Sequence, residues 1–258
     1  MKITFLGLSS FLIENEFGHR ILIDPYDDSP KWNLGINFPG TIGGRRLTAE
    51  LVLSSHMDAD HASFRPEISI EPLGKNDHKK SEHDARFPDL ELRGVLVGEW
   101  NGFPNIAWSY NIDGFKLWHL ADNASVLSKS QIKEAGKTDI LFISPSKVPK
   151  DTKITLTNIK KINPKYVVWA HHIPVRPHNE TDEDKIRKYF GKIILAQKEN
   201  KNANKHAVEV FTGFLTNIFE MNKKFKNVIL IDDFVFEIPN KKDNHEPTVL
   251  FFRKSASK

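Results

Sequence analysis

The first 55 residues alternate apolar and polar positions or run apolar over a few residues, a pattern that is typical of short β-strands. It predicts strands at 2–6, 9–14, 20–24 and 51–54, with residues 15–18 as the hairpin loop between the second and third. The segment 26–46 is irregular and holds four glycines. We expect it to form a long functional loop.

Beyond residue 93 the pattern predicts strands that are followed by helices. Strands are expected at 94–98, 105–112, 115–119, 139–144, 166–170 and 227–238, and Asp113-Gly114 has the composition of a tight hairpin turn. Helices are expected from a cap at Ser128 or Ser130 to Ala135, at 155–162, from Thr181 and at 207–222. Segments 71–92 and 198–205 are polar and are expected to be exposed. The order of elements indicates an α/β protein.

Composition narrows the class of protein. With 258 residues, 39% of them apolar and 27% charged, the chain is typical of a soluble globular protein, and we expect one domain over residues 1–258. It has no apolar run as long as a spanning helix and no signal-peptide pattern, so we expect a cytoplasmic protein without a membrane partner. Because there is no cysteine, a metal would have to be bound by His, Asp and Glu.

Charge is unevenly distributed along the chain. Residues 1–130 have a formal charge of −5, and residues 131–258 have a formal charge of +9. The lysines of the second half are scattered with little aromatic interleaving, which favours a solvated basic surface over a nucleic-acid interface. Electrostatic attraction of an anionic substrate is the remaining alternative.

The segment from His56 to His61 is the clearest candidate for chemistry. His56, Asp58, Asp60 and His61 place four potential metal ligands within six residues, directly after a buried strand. The ends of such strands are where α/β proteins usually carry their sites. We therefore predict a metal site here rather than a polar loop with incidental histidines.

The sequence gives little support for an enzyme with a nucleophilic serine or cysteine, or for a nucleotide-binding protein. The chain has no Gly-x-Ser-x-Gly elbow, no cysteine and no Gly-Lys-Ser/Thr phosphate loop. A glycosidase that uses a pair of carboxylates is a further alternative, although no particular pair stands out in the sequence.

Several segments resemble the metallo-β-lactamase superfamily, and more closely its L-ascorbate-6-phosphate lactonase-like, UPF0173-like branch of hydrolases. The similar segments follow the family order over about residues 1–175: 2–13 with 21–25, 56–61, 113–122, 139–143, a helix from Thr155, and 167–172. The resemblance implies a four-layer αββα sandwich with two mixed β-sheets. Residues 176–258 match no family feature and are interpreted as a C-terminal extension of the same domain.

The resemblance also implies two neighbouring metal sites. One site would use Asp60, His61, Asp122 and His172. The other would use His56, Asp58 and a third ligand, for which Glu99 is the nearest candidate. The chain departs from the family pattern at Leu8, Asp58, Ala121 and Asn123, where histidine, histidine, glycine and threonine are usual.

The implied cofactor is one or two divalent metal ions, zinc or manganese, with iron as the alternative. A carboxylate at position 58 in place of imidazole shifts the preference from zinc toward manganese, iron or magnesium. The resemblance implies a hydrolase that uses metal-bound hydroxide, with Asp60 able to take up a proton. The substrate would be a small, anionic ester, lactone or phosphodiester.

A protein of another class is also compatible with the sequence. The departures from the family pattern permit a degenerate member that has weakened metal binding and acts as a binding or structural module. Homo-oligomerisation is left open, and nucleic acid is not the expected partner.

Other residues have open alternatives. His119 either orients a ligand through a hydrogen bond or is a core histidine, and Asp24 either braces the 56–61 segment or forms a turn. His171 is expected to point away from the site, because neighbouring residues of a strand face opposite sides. His178 lies either at a pocket rim or in an exposed loop. Three aromatics are candidates for a substrate wall or for core packing: Trp32, Phe38 and Trp100. The remaining histidines are expected at the surface: His19, His78, His83, His206 and His245.

Overall fold

Two mixed β-sheets lie at the centre of the structure, and both contain strands from the C-terminal third of the chain. The computed structural model describes residues 1–26, 37–58, 60–61, 87–99, 104–148, 151–173, 183–194, 201–239 and 246–256. Within these residues the chain forms fourteen strands and four helices.

The first sheet has five strands in the order β13-β1-β2-β3-β6. Its members are β1 (Lys2–Gly7), β2 (Ser10–Glu14), β3 (Arg20–Ile23), β6 (Leu51–Leu53) and β13 (Val235–Glu237). The β3 and β6 strands are parallel, and the other neighbours are antiparallel. The short strands β4 (Thr41–Ile42) and β5 (Arg45–Arg46) form a separate hairpin.

The second sheet has seven strands in the order β12-β14-β11-β10-β9-β8-β7. Its members are β7 (Arg93–Gly98), β8 (Pro104–Ile112), β9 (Phe115–His119), β10 (Ile140–Ile143), β11 (Tyr166–Trp169), β12 (Asn227–Ile231) and β14 (Thr248–Phe252). The run from β12 to β9 is parallel, whereas β8 is antiparallel to both of its neighbours. The Asp113-Gly114 turn has positive φ at both residues, as a two-residue hairpin of this kind requires.

The four helices lie between β9 and β12 along the chain: α1 (Lys129–Ala135), α2 (Lys153–Ile162), α3 (Glu183–Ile194) and α4 (Lys201–Asn222). The predicted cap of α1 is Ser128, whose hydroxyl accepts a hydrogen bond from Gln131 N while the Gln131 side chain accepts one from Ser128 N. Trp169 Nε1 of β11 donates to Asn222 Oδ1 at the end of α4 (2.7 Å). None of the described helices is both long enough and apolar enough to span a membrane.

The space between the two sheets is filled by large apolar side chains. Phe5 and Phe11 of the first sheet contact Phe252 and Phe142 of the second, with 5.8 Å and 4.8 Å between ring centroids. All four rings are buried. They lie beneath the edge of the sandwich where strands β3, β6, β9 and β11 end.

The C-terminal third differs from its predicted elements in three respects. The single strand expected at 227–238 is wrong, because Asp232 and Asp233 separate β12 from β13, which belong to different sheets. The exposed loop expected at 198–205 is wrong from Lys201 onward, where α4 begins. The strand β14 was not predicted, although its sequence Thr-Val-Leu-Phe-Phe is that of a fully buried strand. The strands β12 and β14 belong to the seven-stranded sheet, and β13 belongs to the five-stranded sheet.

Candidate metal centre

The candidate residues lie at the C-terminal ends of strands from both sheets. In the first sheet, Asp24 directly follows β3, and the segment that begins at Ser54 follows β6. In the second sheet, Glu99 follows β7, Asp122 lies three residues after β9, and His171 lies two residues after β11. Because these strand ends converge at one edge of the sandwich, residues that are distant in sequence come together there.

Four of these side chains form a first cluster: Asp60, His61, Asp122 and His171. Their potential ligand atoms all lie within 4.8 Å of one another. Asp122 Oδ1 is 3.2 Å from His61 Nε2 and 2.7 Å from His171 Nδ1. On the other side of the ring, His171 Nε2 is within hydrogen-bond distance of Asp60 Oδ2, at 3.0 Å.

The polar atoms of the first cluster fit a cation. His61 Nε2, His171 Nδ1 and Asp122 Oδ1 are buried and have no hydrogen-bond partner of suitable geometry, although they face one another. Leaving such atoms unsatisfied costs about 1–3 kcal/mol each. A metal ion bound by two carboxylates and two imidazoles would satisfy them, and this donor set is one that zinc, manganese and iron accept.

A second cluster lies beside the first and consists of His56, Asp58 and Glu99, whose potential ligand atoms are also within 4.8 Å of one another. His56 Nε2 is buried without a hydrogen bond and is 3.8 Å from Glu99 Oε2. The rings of His56 and His61 are 4.2 Å apart between centroids, so the clusters are adjacent. The structure thus brings Glu99, a candidate from its position in the sequence, to the other two residues.

Asp24 braces the first cluster from the side opposite the candidate ligand atoms. Its buried carboxylate accepts hydrogen bonds from Ser55 N (2.7 Å) and Ser55 Oγ (3.0 Å) and lies 2.9 Å from His61 Nδ1. A proton on Nδ1 that is shared with Asp24 leaves the Nε2 lone pair of His61 directed at Asp122 and Asp60. This arrangement is the usual support of a metal-binding histidine.

His119 lies behind this network without entering either cluster. Its Nε2 is 3.1 Å from the carbonyl oxygen of Ser9, and its Nδ1 is 3.8 Å from Asp24 Oδ2. Burial, which is stronger than the attraction of Asp24, lowers the pKa of His119. The neutral ring donates from Nε2 to Ser9 O, and its Nδ1 makes no hydrogen bond of suitable geometry to Asp24.

The expectation for the two adjacent histidines is reversed by the structure. His172, predicted to be a ligand, is buried with its Nε2 3.0 Å from the carbonyl oxygen of Phe252, and its ring stacks on Phe5. His171, predicted to point away, enters the first cluster. The reason is that β11 ends at Trp169 and His171 has a φ of 58°, so the alternation of a strand no longer applies.

Left-handed backbone is concentrated around the two clusters. Of the described residues other than glycine, Leu8, Asp24, Ala121 and His171 have φ between 46° and 58° close to the site. The backbone of Leu8 fixes the histidine pair, since Leu8 O accepts from His171 N (2.7 Å) and Leu8 N donates to His172 O (3.1 Å). Such conformations are costly for residues with a side chain and are found at functional sites.

The electrostatics of the first cluster favour bound positive charge. Burial opposes protonation of His61, but Asp122, Asp60 and Asp24 outweigh it and raise its pKa well above the ordinary value. Burial likewise opposes protonation of His171, whose pKa is nonetheless raised to about 9, chiefly by Asp122. The pKa of Asp122 is well below its usual range, since His171 and His61 overcome the effect of burial.

In the second cluster the pKa of the histidine is lowered and that of the glutamate is raised, the reverse of the shifts in the first cluster. Burial and the neighbouring His61 lower the pKa of His56, which favours the neutral ring that a metal needs. Burial and the charges of Asp122 and Asp58 raise the pKa of Glu99. These carboxylates repel one another, and a second cation between them would relieve that repulsion.

The remaining candidates lie away from the clusters or outside the described residues. Phe38 is buried against Tyr26 and belongs to the core. His19 is half-buried beside Glu50, and His206 is exposed. Six candidates fall outside the described residues: Trp32, His78, His83, Trp100, His178 and His245.

Sequence reasoning did not assign a role to Ser55 or Phe214. Ser55 Oγ contacts Asp24, His56 Nδ1 (3.0 Å) and His61 Nδ1 (3.3 Å), so it links the two clusters. The position of Ser55 directly before His56 was the feature of the sequence that could have indicated this contact. Phe214 of α4 stacks on His171 at 4.6 Å, a contact between distant segments that no local pattern indicates.

Comparison with solved structures supports the predicted fold. A protein from Thermotoga maritima, assigned to the Zn-dependent hydrolases of the metallo-β-lactamase superfamily, is 19% identical and aligns with a TM-score of 0.59 over 97% of this chain and 98% of its own. CmlA, a diiron β-hydroxylase from Streptomyces venezuelae, is 10% identical and aligns over the whole of this chain and 53% of its own, with a TM-score of 0.52. At these identities the likeness concerns the fold, which confirms the predicted class.

Comparison of sequences identifies the family. A UPF0173 metal-dependent hydrolase from Carboxydothermus hydrogenoformans is 24% identical over 199 residues, which cover 67% of this chain and 84% of the relative. The family model described as the beta-lactamase superfamily domain matches residues 2–171. The match ends at His171, the last member of the first cluster, and covers well over half of the chain. The chain therefore belongs to the beta-lactamase superfamily, as a metallo-β-lactamase-fold member that resembles the UPF0173 branch.

Proposed function

We propose that the protein is a metal-dependent hydrolase that acts on a small anionic ester, lactone or phosphodiester. The observation that carries this proposal is the pair of adjacent clusters. Four of their potential ligand atoms are buried without a hydrogen-bond partner of suitable geometry: His56 Nε2, His61 Nε2, His171 Nδ1 and Asp122 Oδ1. The family match and the curated metal-dependent hydrolase relative support the enzyme class.

In this proposal the first cluster binds one divalent cation, and His56, Asp58 and Glu99 bind a second. His171 replaces His172 as the histidine contributed by the segment after β11. A bound cation supplies Lewis acidity, which lowers the pKa of water and polarises a substrate oxygen. The protein supplies the position and protonation state of each ligand.

Asp60 is the proposed proton acceptor. Its Oδ2 is shared with His171 Nε2 at 3.0 Å, and it lies 3.6 Å from His61 Nε2. Burial alone would raise the pKa of Asp60, but His61 and His171 outweigh it and keep the carboxyl ionised. An ionised Asp60 can accept a proton as water attacks.

Manganese or zinc is the proposed metal, with iron as the alternative. Four of the seven residues in the two clusters supply carboxylates, namely Asp58, Asp60, Glu99 and Asp122, and the other three supply imidazoles. Hard oxygen ligands favour manganese and iron more than imidazole does. We therefore propose that manganese competes with zinc, most strongly at the second cluster.

The proposed preference for an anionic substrate rests on charge. Residues 131–258 have a formal charge of +9, and they contribute the helices and strands next to His171. A bound cation would add positive charge at the site itself. Together they would attract small anions, an effect that salt screens over about 8–10 Å.

The test is removal and return of the metal. Chelated protein should lose hydrolysis of aryl ester, lactone and phosphodiester probes, and manganese or zinc should restore it for at least one probe. His171→Ala should be inactive both before chelation and after metal is returned. His206→Ala, at an exposed position of α4, should behave like the unaltered protein. Metal-free protein with full activity would refute the proposal.

A degenerate binding or structural module is the second candidate. It is favoured by Asp58 and Ala121, which stand where the family usually has histidine and glycine. Ala121 has a φ of 47°, a conformation that glycine adopts more easily. The same experiment separates the two candidates, since this one expects protein that is folded but inactive toward every probe with either metal.

A further inference from the structure

The outer strand of the seven-stranded sheet, β12, exposes apolar side chains. Within the described part of the chain β12 pairs with β14 only, so its second edge faces outward. Ile229 and Leu230 are 40% and 47% exposed, although they are neighbours in a strand and lie on opposite faces of the sheet. An open apolar edge of this kind is a template for pairing with another strand.

The opposite edge of the same sheet is protected. In β7, Leu96 O accepts a hydrogen bond from Gln131 Nε2 of α1 (2.7 Å), and Gly98 O accepts one from Ala124 N (2.9 Å). Helix α1 therefore covers part of the β7 edge. No comparable bond reaches the outer edge of β12 from the residues that the structure describes, so the two edges differ in kind.

The hydrogen bonds within the sheet show which groups of β12 point outward. Ile231 O accepts from Arg253 N (2.9 Å), so the backbone groups of Ile231 face β14. Because the N–H and C=O groups of alternate residues point to opposite sides of a strand, those of Val228 and Leu230 face outward. These two residues offer donors and acceptors to an added strand.

The charges on either side of β12 are complementary to each other. Lys223, Lys224 and Lys226 precede the strand, Asp232 and Asp233 follow it, and all five are exposed. Lys226 and Asp232 also form ion pairs within the chain, with Glu246 (2.6 Å) and Arg253 respectively. Lys226 and Asp232 themselves remain 78% and 61% exposed, so they can meet further charges.

We propose that β12 is a homodimer interface in which two copies of the chain pair β12 with β12 in antiparallel orientation. The pairing is centred on Ile229, the middle residue of the strand. Val228 then lies opposite Leu230 of the partner subunit, and each pair can exchange two backbone hydrogen bonds. The two seven-stranded sheets become one continuous sheet across a two-fold axis.

Charge selects this register over its alternatives. Centring on Ile229 places Lys226 opposite Asp232 of the partner subunit, and the symmetry repeats this pair at the other end of the interface. Registers that are shifted by one residue at the centre also align outward-facing groups, but they place Lys226 opposite an apolar residue. Parallel pairing would bring like charges together, which is unfavourable.

The experiment measures the mass of the full chain in solution by light scattering after size-exclusion chromatography. As the concentration is raised to about 100 µM, the mass of the unaltered protein should reach twice the chain mass of 29.6 kDa. Leu230→Pro removes one outward N–H and should give monomers. Leu96→Pro, the matched change at an exposed position of the protected β7 edge, should leave the dimer intact.

A charge exchange tests the register. Lys226→Asp and Asp232→Lys each place like charges across the interface, and each should raise the dimer dissociation constant by about tenfold or more. Mixing the two variants should restore a dimer with one chain of each kind, because both facing pairs are then opposite in sign. Circular dichroism and thermal unfolding of each variant establish that it is folded.

Three results would overturn the proposal. The first is an unaltered protein that stays monomeric at every concentration tested. The second is a dimer that persists in folded Leu230→Pro protein, since another surface would then form it. The third is a pair of charge variants that do not associate when mixed, because the centred register would then be wrong.

Discussion

The ring of His171 stacks on the ring of Phe214, with 4.6 Å between the ring centroids and 25° between the planes. His171 lies at the end of the segment that matches the family, and Phe214 belongs to α4 in the C-terminal extension. The extension thus supports a side chain of the first cluster. Its contact with the first cluster is the stacking of Phe214 on His171, a candidate ligand.

Replacing Phe214 should therefore weaken metal binding at the first cluster. Phe214→Leu keeps an apolar side chain but removes the stacked ring, so His171 gains freedom, and we expect a metal affinity about tenfold lower, as for other supporting residues of metal ligands. Competition with a chelating dye measures the affinity. Phe219→Leu is the control on the same helix, since Phe219 packs against Phe251 at 5.9 Å. An equal loss in both variants would contradict a specific role of Phe214.

Asp24 should matter for metal binding although it belongs to neither cluster. Asp24→Asn removes the charge that holds the proton on His61 Nδ1, and we expect a loss of about 10–100-fold in metal affinity. The dye competition measures it, with Asp184→Asn on the surface helix α3 as the control. Unchanged affinity in folded Asp24→Asn protein would show that Asp24 serves the turn after β3 alone.

The second cluster should respond to the type of ligand that it offers. Glu99→Gln removes a charged ligand candidate near His56 and should lower the affinity for a second metal while the first is retained. Asp58→His restores imidazole and should shift the preference of the second site from manganese toward zinc. Titration with each metal, followed by elemental analysis, measures both effects. A metal stoichiometry that neither variant changes would place any second metal elsewhere.

Metal binding should release protons, and its affinity should rise with pH. In the metal-free protein the pKa of His171 is raised to about 9 from an ordinary value of 6.5. A metal must displace the proton from this ring, so affinity should increase by up to about tenfold per pH unit between 6.5 and 9. Calorimetry in buffers of different ionisation enthalpy counts the protons that are released. Binding without proton release at pH 7 would argue against His171 as a ligand.

The same shift sets the pH dependence of metal-free stability. Since folding raises the pKa of His171, its contribution is fully present below pH 6.5 and is lost as the pH rises through about 9. Urea unfolding of metal-free protein should therefore show stability that declines over this window. His171→Ala should flatten the decline.

Much of the fold could be predicted because the signals were local. Strands such as Phe115–His119 and Tyr166–Trp169 are apolar runs with clear boundaries, and Ser128 carries its capping partner three residues later. The split between β12 and β13 was also signalled by Asp232 and Asp233. It was missed because the apolar residues on both sides of the pair can be read as one strand.

The site was predicted less completely because its geometry depends on the backbone after each strand. Glu99 could be placed from its position at a strand end, and His61 from its neighbours in the 56–61 segment. The exchange of His171 and His172 could not be foreseen, since it follows from a left-handed residue that is held by the backbone of Leu8. Contacts between distant segments, such as that of His171 with Phe214, leave no local pattern.

The most direct test of the metal centre is the metal content of three proteins purified without chelator, measured by elemental mass spectrometry. The unaltered protein should contain one or two equivalents of manganese, zinc or iron. His171→Ala should lose the metal of the first cluster. His172→Gln, which can still donate a hydrogen bond to Phe252 O, should retain it. Unaltered protein without metal, or a His171→Ala variant that holds as much metal as the unaltered protein, would contradict the account.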